Sequence, residues 1–199
     1  MLSKIQLIYA DLPYEFSSKH YQDGDRDFKK LDYVTMKQNE MESIKVKEVV
    51  ADDSVCFIWT PESRIPDCIK VMEAWGFKYV TVAFYWRKTY ESGKTAYTFA
   101  PTTLNSMELV LYGTRGKVSQ LKQCTNVKDY CDSVRTIHSR KPKEIRDRID
   151  MLFGNLNKVE FFATEKTEGW ECWGLSIDGK TVEEHIANIG ITVQQEGNA

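Results

Sequence analysis

A carboxylate, a proline and an aromatic ring follow one another directly after an apolar segment near the start of the chain. The apolar run at residues 5–10 predicts a buried strand, and Asp11, Leu12, Pro13 and Tyr14 come next. In open α/β sheets, ligands bind outside the carboxyl ends of the strands. An acid, a proline-stiffened backbone and a flat ring at such a place are suited to holding a planar amine.

The chemistry of this motif fits methyl transfer to the exocyclic amine of a nucleobase. The Asp11 carboxylate and the Leu12 carbonyl can accept the two N–H bonds, which points the nitrogen lone pair at a methyl donor and stabilises the cation that develops. Tyr14 offers a ring on which a flipped base can stack. Taken alone, however, four such residues more often mark a strand end where an acid caps a turn.

The elements that position this motif can be predicted from the spacing of apolar residues. Uninterrupted apolar runs predict strands over residues 5–10, 55–59, 79–86, 107–112 and 159–163. Helical patterns begin at Thr35, Pro66 and Pro142, and Gly76 and Gly154 end the last two. Strands that alternate with helices predict the α/β class, with a mostly parallel sheet and helices on both faces.

Other parts of the chain give weaker patterns. Residues 170–177 predict one further strand, and residues 117–140 are expected to be irregular. Polar stretches at 15–31 and 87–106 predict two long surface loops. The first follows the motif directly and is either a lid or a plain connection.

Composition excludes several classes of function. The chain has 199 residues, enough for one well-buried domain, and a net charge of −2, so a nucleic-acid partner must be held by a local basic patch. Five cysteines without C-x-x-C spacing and three dispersed histidines predict no metal site and suit a reducing cytoplasm. No apolar run approaches the roughly 20 residues of a membrane span, so no membrane association is expected.

Two further features are candidates for binding. A basic block over residues 135–148 places positive charge at the start of a predicted helix, which suits a phosphate backbone or a carboxylate-bearing cofactor, although most such runs are simply solvated. Tyr97 and Phe99 lie in a polar loop, where an exposed ring can contact a base.

Separated blocks of sequence, in a fixed order, resemble one family. They are A-D-L-P-Y at 10–14, Y-V-T-M at 33–36, D-S-V-C-F-I-W-T at 53–60, A-W-G-F at 74–77, W-R-K at 86–88, E at 108 with G-T-R-G at 113–116, H-S-R-K-P at 138–142, V-E-F-F-A at 159–163 and G-W-E-C-W-G at 169–174. Together they resemble the MTA-type adenine-N6 methyltransferases, which include the eukaryotic mRNA adenosine methyltransferase and bacterial and phage DNA enzymes. Each block is weak alone, and their order and spacing are specific.

The resemblance implies a single Rossmann-like methyltransferase domain of permuted (β-class) type over residues 1–179. The residues at 180–199 indicate a C-terminal tail, with a candidate short helix around residues 182–189. It implies S-adenosylmethionine as cofactor and the N6 amine of adenine as target, with Asp11, Leu12, Pro13 and Tyr14 at the reaction. The residues implied at the cofactor are Asp11, Lys141, Phe161, Phe162, Ala163, Thr164, Leu175 and Ser176. Those implied at the substrate are Tyr14, Tyr97, Glu108, His138 and Arg140.

The chain departs from the family pattern at several positions. Leu12 replaces a proline, Tyr14 replaces a tryptophan, and Thr164, Leu175 and Ser176 stand where the family has polar cofactor contacts. A catalytically silent relative that binds nucleic acid or supports a partner subunit is therefore one alternative. Others are a cytosine-N4 enzyme and an RNA adenine-N6 enzyme. The expected partner is nucleic acid, DNA before RNA, in the cytoplasm of a bacterium or a phage-infected cell, with a homo- or heterodimer possible.

Overall fold

The computed structural model describes residues 4–15, 34–100, 102–135 and 140–196, with side chains up to residue 189. The strands of this part are β1 (Ile5–Asp11), β2 (Val50–Thr60), β3 (Lys78–Thr89), β4 (Thr98–Phe99), β5 (Leu104–Asn105), β6 (Met107–Arg115), β7 (Tyr130–Val134), β8 (Lys158–Phe161) and β9 (Glu171–Trp173). The α-helices are α1 (Gln38–Ser43), α2 (Ile65–Ala74), α3 (Lys143–Phe153), α4 (Leu175–Asp178) and α5 (Val182–Glu196).

Seven of these strands form one sheet in the order β7-β3-β6-β2-β1-β8-β9, and β4 pairs with β5 in a separate hairpin. Strand β6 runs antiparallel to both of its neighbours, whereas every other neighbouring pair in the large sheet is parallel. This arrangement confirms the predicted α/β class and the mostly parallel, Rossmann-like sheet. Strand β1, which carries the predicted motif, lies inside the sheet between β2 and β8.

Helices cover both faces of the sheet, as predicted. Side chains alternate along a strand, so Tyr9 of β1 packs in one buried cluster with Ile149 of α3. Ile8 packs on the opposite face in a second cluster, with residues of α1, α2 and α5 such as Met72 and Ile186. Because each face of β1 is covered, the strand is held rigidly up to the point where Asp11 emerges.

Two predicted elements differ in the structure. The strand predicted over 170–177 is a short β9 followed by α4, and the break falls at Gly174, where an added Cβ would lie 2.4 Å from the Ala163 carbonyl oxygen. The region 117–140, predicted to be irregular, contains the edge strand β7, in which only Cys131 is buried. An edge strand that buries one side chain leaves no apolar run in the sequence.

The predicted helix at Thr35 begins three residues later, at Gln38. The Glu40 carboxylate accepts a 2.8 Å hydrogen bond from the backbone nitrogen of Lys37, which caps the helix start. The tail beyond residue 180 holds α5, whose Val182 and Ile186 are buried. No helix in the described part of the chain is long and apolar enough to cross a membrane.

Candidate active site at the carboxyl edge of the sheet

Three strands bring predicted site residues to the same edge of the sheet. Asp11 is the last residue of β1 and pairs in register with Trp59, near the end of the parallel β2. Ala10 pairs with Phe161, the last residue of the parallel β8. Because β6 is antiparallel, it begins where these strands end, so Glu108 lies at this edge too. The topology thus gathers residues that are far apart in sequence.

Charged side chains form a chain of ion pairs at this edge. The Lys141 Nζ lies 2.9 Å from the Asp11 Oδ2 and 3.0 Å from the Glu108 Oε2. The other Glu108 oxygen accepts a hydrogen bond from Lys88. Lys141 also lies over the ring of Trp59, 5.5 Å from its centroid. The structure therefore joins the predicted Asp11, Glu108 and Lys141 and adds Lys88.

The surroundings shift the pKa values of three members of this cluster. Burial lowers the pKa of Lys141, but the carboxylates of Asp11 and Glu108 outweigh burial and the pKa is raised. Burial raises the pKa of Glu108, and Lys141 and Lys88 reverse that effect, so its pKa lies below the usual value. Burial raises the pKa of Asp11 against the opposing charge of Lys141. Solvent reaches 47 % of the Asp11 side chain, which weakens the effect of burial.

The backbone after Asp11 makes a tight turn. The Tyr14 nitrogen donates a 2.9 Å hydrogen bond to the Leu12 carbonyl, a three-residue turn centred on Pro13. The Pro13 carbonyl accepts a 2.7 Å hydrogen bond from the nitrogen of Met36, which ties the turn to the segment before α1. A carbonyl oxygen has two lone pairs, so the Leu12 carbonyl keeps one for a ligand.

The ring of Tyr14 is covered in this structure. Its side chain belongs to a buried cluster, and the residue is 3 % exposed. The Arg64 guanidinium lies 5.6 Å from the ring centroid and is held by the Asp67 carboxylate at 3.0 Å and by the Glu15 carbonyl at 2.9 Å. Stacking of a base on Tyr14 therefore requires Arg64 to leave the ring.

The predicted cofactor residues surround a sharp turn after β8. Phe162 has a φ of 58°, a left-handed conformation that is strained for an aromatic residue. The Ala163 nitrogen donates a 3.0 Å hydrogen bond to the Trp173 carbonyl, which fixes the turn against β9. Thr164, Leu175 and Ser176 are all exposed beside this turn.

The remaining predicted residues lie apart from the ion-pair cluster. Tyr97 stands next to the β4–β5 hairpin and is half-exposed. Arg140 forms an exposed ion pair with Glu165. His138 lies outside the described residues.

Two functional features were missed from the sequence. Lys88 lies two residues beyond Trp86, whose register partner is Glu108, so alternation along β3 places Lys88 on the same side of the strand. The fold sets that register, and no pattern in the sequence reveals it. The second is a buried pair on β8 and α3, in which Glu160 lies 3.1 Å from Arg146 and burial raises the Glu160 pKa to about 6. The sequence did contain a signal for this second feature, namely an acidic residue inside an apolar strand.

In the described part of the chain, no group of three or more histidine, cysteine or acidic side chains is arranged to hold a metal ion. The site instead combines an accessible carboxylate, the Leu12 carbonyl and partly buried cations at a strand end. Such a site can orient an amine without ionising it.

Comparison with known proteins gives the class and then the family. The fold is that of a single Rossmann-like methyltransferase domain, and the family model described as MT-A70 matches residues 5–176. The chain belongs to the MT-A70 family and is a methyltransferase. It is similar to the Type II methyltransferase M.MunI of Mycoplasma sp, with 33 % identity over 195 residues, 90 % of this chain and 81 % of the relative.

Proposed function

We propose that the protein is an S-adenosylmethionine-dependent methyltransferase that acts on the N6 amine of adenine in DNA. The observation that carries the proposal is Asp11, a half-exposed carboxylate held by Lys141 at the carboxyl end of β1, beside the Leu12 carbonyl. Similarity to a Type II methyltransferase supports DNA as the substrate.

The chain's own residues hold the amine in this proposal. The Asp11 carboxylate accepts one N–H of the amine and the Leu12 carbonyl accepts the other, so the nitrogen lone pair points away from both acceptors. The same oxygens stabilise the positive charge that develops on nitrogen. Asp11 then accepts the proton that the methylated nitrogen loses and passes it to the solvent that it contacts.

MT-A70 methyltransferases generally use S-adenosylmethionine, and the donor set here fits that molecule. Its amino-acid end carries an ammonium and a carboxylate, which Asp11 and Lys141 match in charge. Beside the strained turn after β8, the exposed Thr164 and Ser176 offer hydroxyl groups, and Leu175 offers an apolar contact. When bound, the cofactor supplies an electrophilic methyl group.

The test is methylation of genomic DNA from a methylation-deficient host with labelled S-adenosylmethionine. Wild type should give N6-methyladenine by nucleoside analysis, and Asp11→Ala should reduce incorporation by at least about 100-fold, since it removes an acceptor of the amine. Asp147→Ala is the matched control, because Asp147 is an exposed acid of α3 whose ion pair is with Lys143. Equal product from wild type and Asp11→Ala would refute the role of Asp11. If the product were N4-methylcytosine, the protein would be assigned as a cytosine-N4 enzyme. If RNA alone were methylated, it would be assigned as an RNA enzyme.

A second candidate is a silent relative that binds nucleic acid or a partner subunit. Leu175 favours it, because an apolar side chain that is 47 % exposed stands where the family places a polar cofactor contact. Calorimetry with S-adenosylmethionine separates the two candidates. Micromolar binding contradicts the silent relative, and the absence of binding contradicts the enzyme.

A further inference from the structure

The β4–β5 hairpin carries an apolar face that no described residue covers. Phe99 pairs with Leu104 and Tyr97 lies two residues before Phe99, so the three side chains share one face of the hairpin. They are 48 % (Tyr97), 87 % (Phe99) and 51 % (Leu104) exposed. Thr98 and Asn105 form the opposite, polar face. We call the first three residues the apolar hairpin face.

The base of the hairpin is fixed to the candidate active site. The Ala96 nitrogen donates a 2.8 Å hydrogen bond to the Lys88 carbonyl, and the Lys88 nitrogen donates a 2.9 Å bond to the Ser106 carbonyl. Ala96 is 1 % exposed. Lys88 in turn holds Glu108 of the ion-pair cluster. The exposed rings therefore stand on a rigid base at the rim of the site.

The two rings are already arranged as a unit. Tyr97 and Phe99 pack edge to face, with centroids 6.2 Å apart and planes at 87°. Exposed aromatic side chains held together in this way lose little further conformational entropy when they are inserted into a partner.

Chemistry and position identify the partner that the apolar hairpin face meets. Two aromatic rings and a leucine side chain stand exposed at the rim of a site that the proposed function assigns to a nucleobase. Two cations of the same segment are already paired, Arg87 with Asp132 and Lys88 with Glu108, so aromatic surface and not charge is what the hairpin offers. Flat, exposed rings beside a site for a base suit a stack of bases.

We propose that the apolar hairpin face inserts between base pairs of a DNA duplex and occupies the space that the target base leaves when it flips toward Asp11. The inference rests on the proposed function and adds the element that opens the duplex. Enzymes that modify a base must extrude it, at the cost of unstacking. Apolar side chains inserted at a base step compensate that cost and kink the duplex. Phe99, the most exposed of the three, leads the insertion.

The test compares duplex with single-stranded DNA that carries the same mapped target site. Phe99→Ala should lower kcat/KM on the duplex about tenfold or more, from the loss of stacking, and by less than about twofold on the single strand. An abasic position opposite the target adenine should restore most of the duplex activity. Met151→Ala is the matched control, because Met151 is an apolar α3 residue that is 60 % exposed, and it should leave both substrates unaffected.

Several outcomes would overturn the proposal. An equal loss on both substrates would show that the hairpin serves catalysis in general, and no loss on either would remove it from DNA binding. Conversion of a dimer to a monomer by Phe99→Ala in sedimentation velocity would assign the face to a second copy. The proposed function fails separately: a wild type without transferase activity that still binds duplex through Phe99 would refute the enzyme and support the insertion.

Discussion

Replacement of Lys141 by methionine tests whether the ion-pair cluster sets the ionisation of Asp11. Asp11 and Glu108 each have an oxygen within 3.0 Å of the same Lys141 nitrogen, so those oxygens are at most about 6 Å apart. Without the cation, two carboxylates at this separation repel each other by about 3 kcal/mol at an effective dielectric of 20. Because Asp11 is 47 % exposed, solvent screens this repulsion, and we take about half of the value as its lower bound.

This repulsion makes the Asp11 and Glu108 carboxylates keep a shared proton to higher pH. At about 1.4 kcal/mol per pKa unit, it raises the pKa of the pair by roughly one to two units. A protonated Asp11 is a weaker acceptor for the substrate amine, so the acid limb of kcat/KM should move up by the same amount in Lys141→Met. The double variant Lys141→Met/Glu108→Gln removes one of the two carboxylates and should move the limb back.

The assay is kcat/KM for methyl transfer between pH 5 and 9, at saturating S-adenosylmethionine. Lys143→Met is the control, since Lys143 is the first residue of α3, two positions after Lys141, is 78 % exposed and pairs with Asp147. A uniform loss of activity at all pH values, with an unmoved acid limb, would refute the reasoning and leave Lys141 as a cofactor contact alone. An acid limb that stays high in the double variant would refute the part played by Glu108.

Two further predictions concern stability. Gly174→Ala places a Cβ 2.4 Å from the Ala163 carbonyl oxygen and should lower the free energy of unfolding by about 1–3 kcal/mol in urea titrations; an unchanged midpoint would show that the turn after β8 relaxes freely. Glu160 has a pKa raised from 4.5 to about 6 by burial, so the folded state binds more protons and loses stability as pH rises through this window. The stability of Glu160→Gln relative to wild type should therefore increase by about 2 kcal/mol between pH 4.5 and 7, and a flat difference would contradict the buried acid.

Strong local patterns made much of the sheet predictable. The apolar runs of β1, β2 and β6 and the proline and glycine boundaries of α2 and α3 all lie where the sequence placed them, within a few residues. These elements are buried on one or both faces, and burial requires the patterns that sequence displays. The turn after Asp11 could be predicted because the strand before it was predicted.

What the sequence did not reveal depends on distant pairing. Strand β7 buries only Cys131 and forms because β3 offers a free edge, so its own residues carry little signal. Lys88 reaches Glu108 through the register of β3 with β6, and no property of the two segments alone fixes that register. The cover of Tyr14 by Arg64 joins two loops 50 positions apart, which only the folded chain brings together.

The reversed direction of β6 has a consequence for how such proteins diversify. A parallel strand would be reached by a crossover that returns to the opposite edge of the sheet. Because β6 is antiparallel to β3, the connection between them begins and ends at the edge that holds Asp11. Lengthening this connection costs little, since loop-closure entropy grows slowly with length. The connection at this edge can thus change in length while the register that positions Asp11 and Glu108 stays the same.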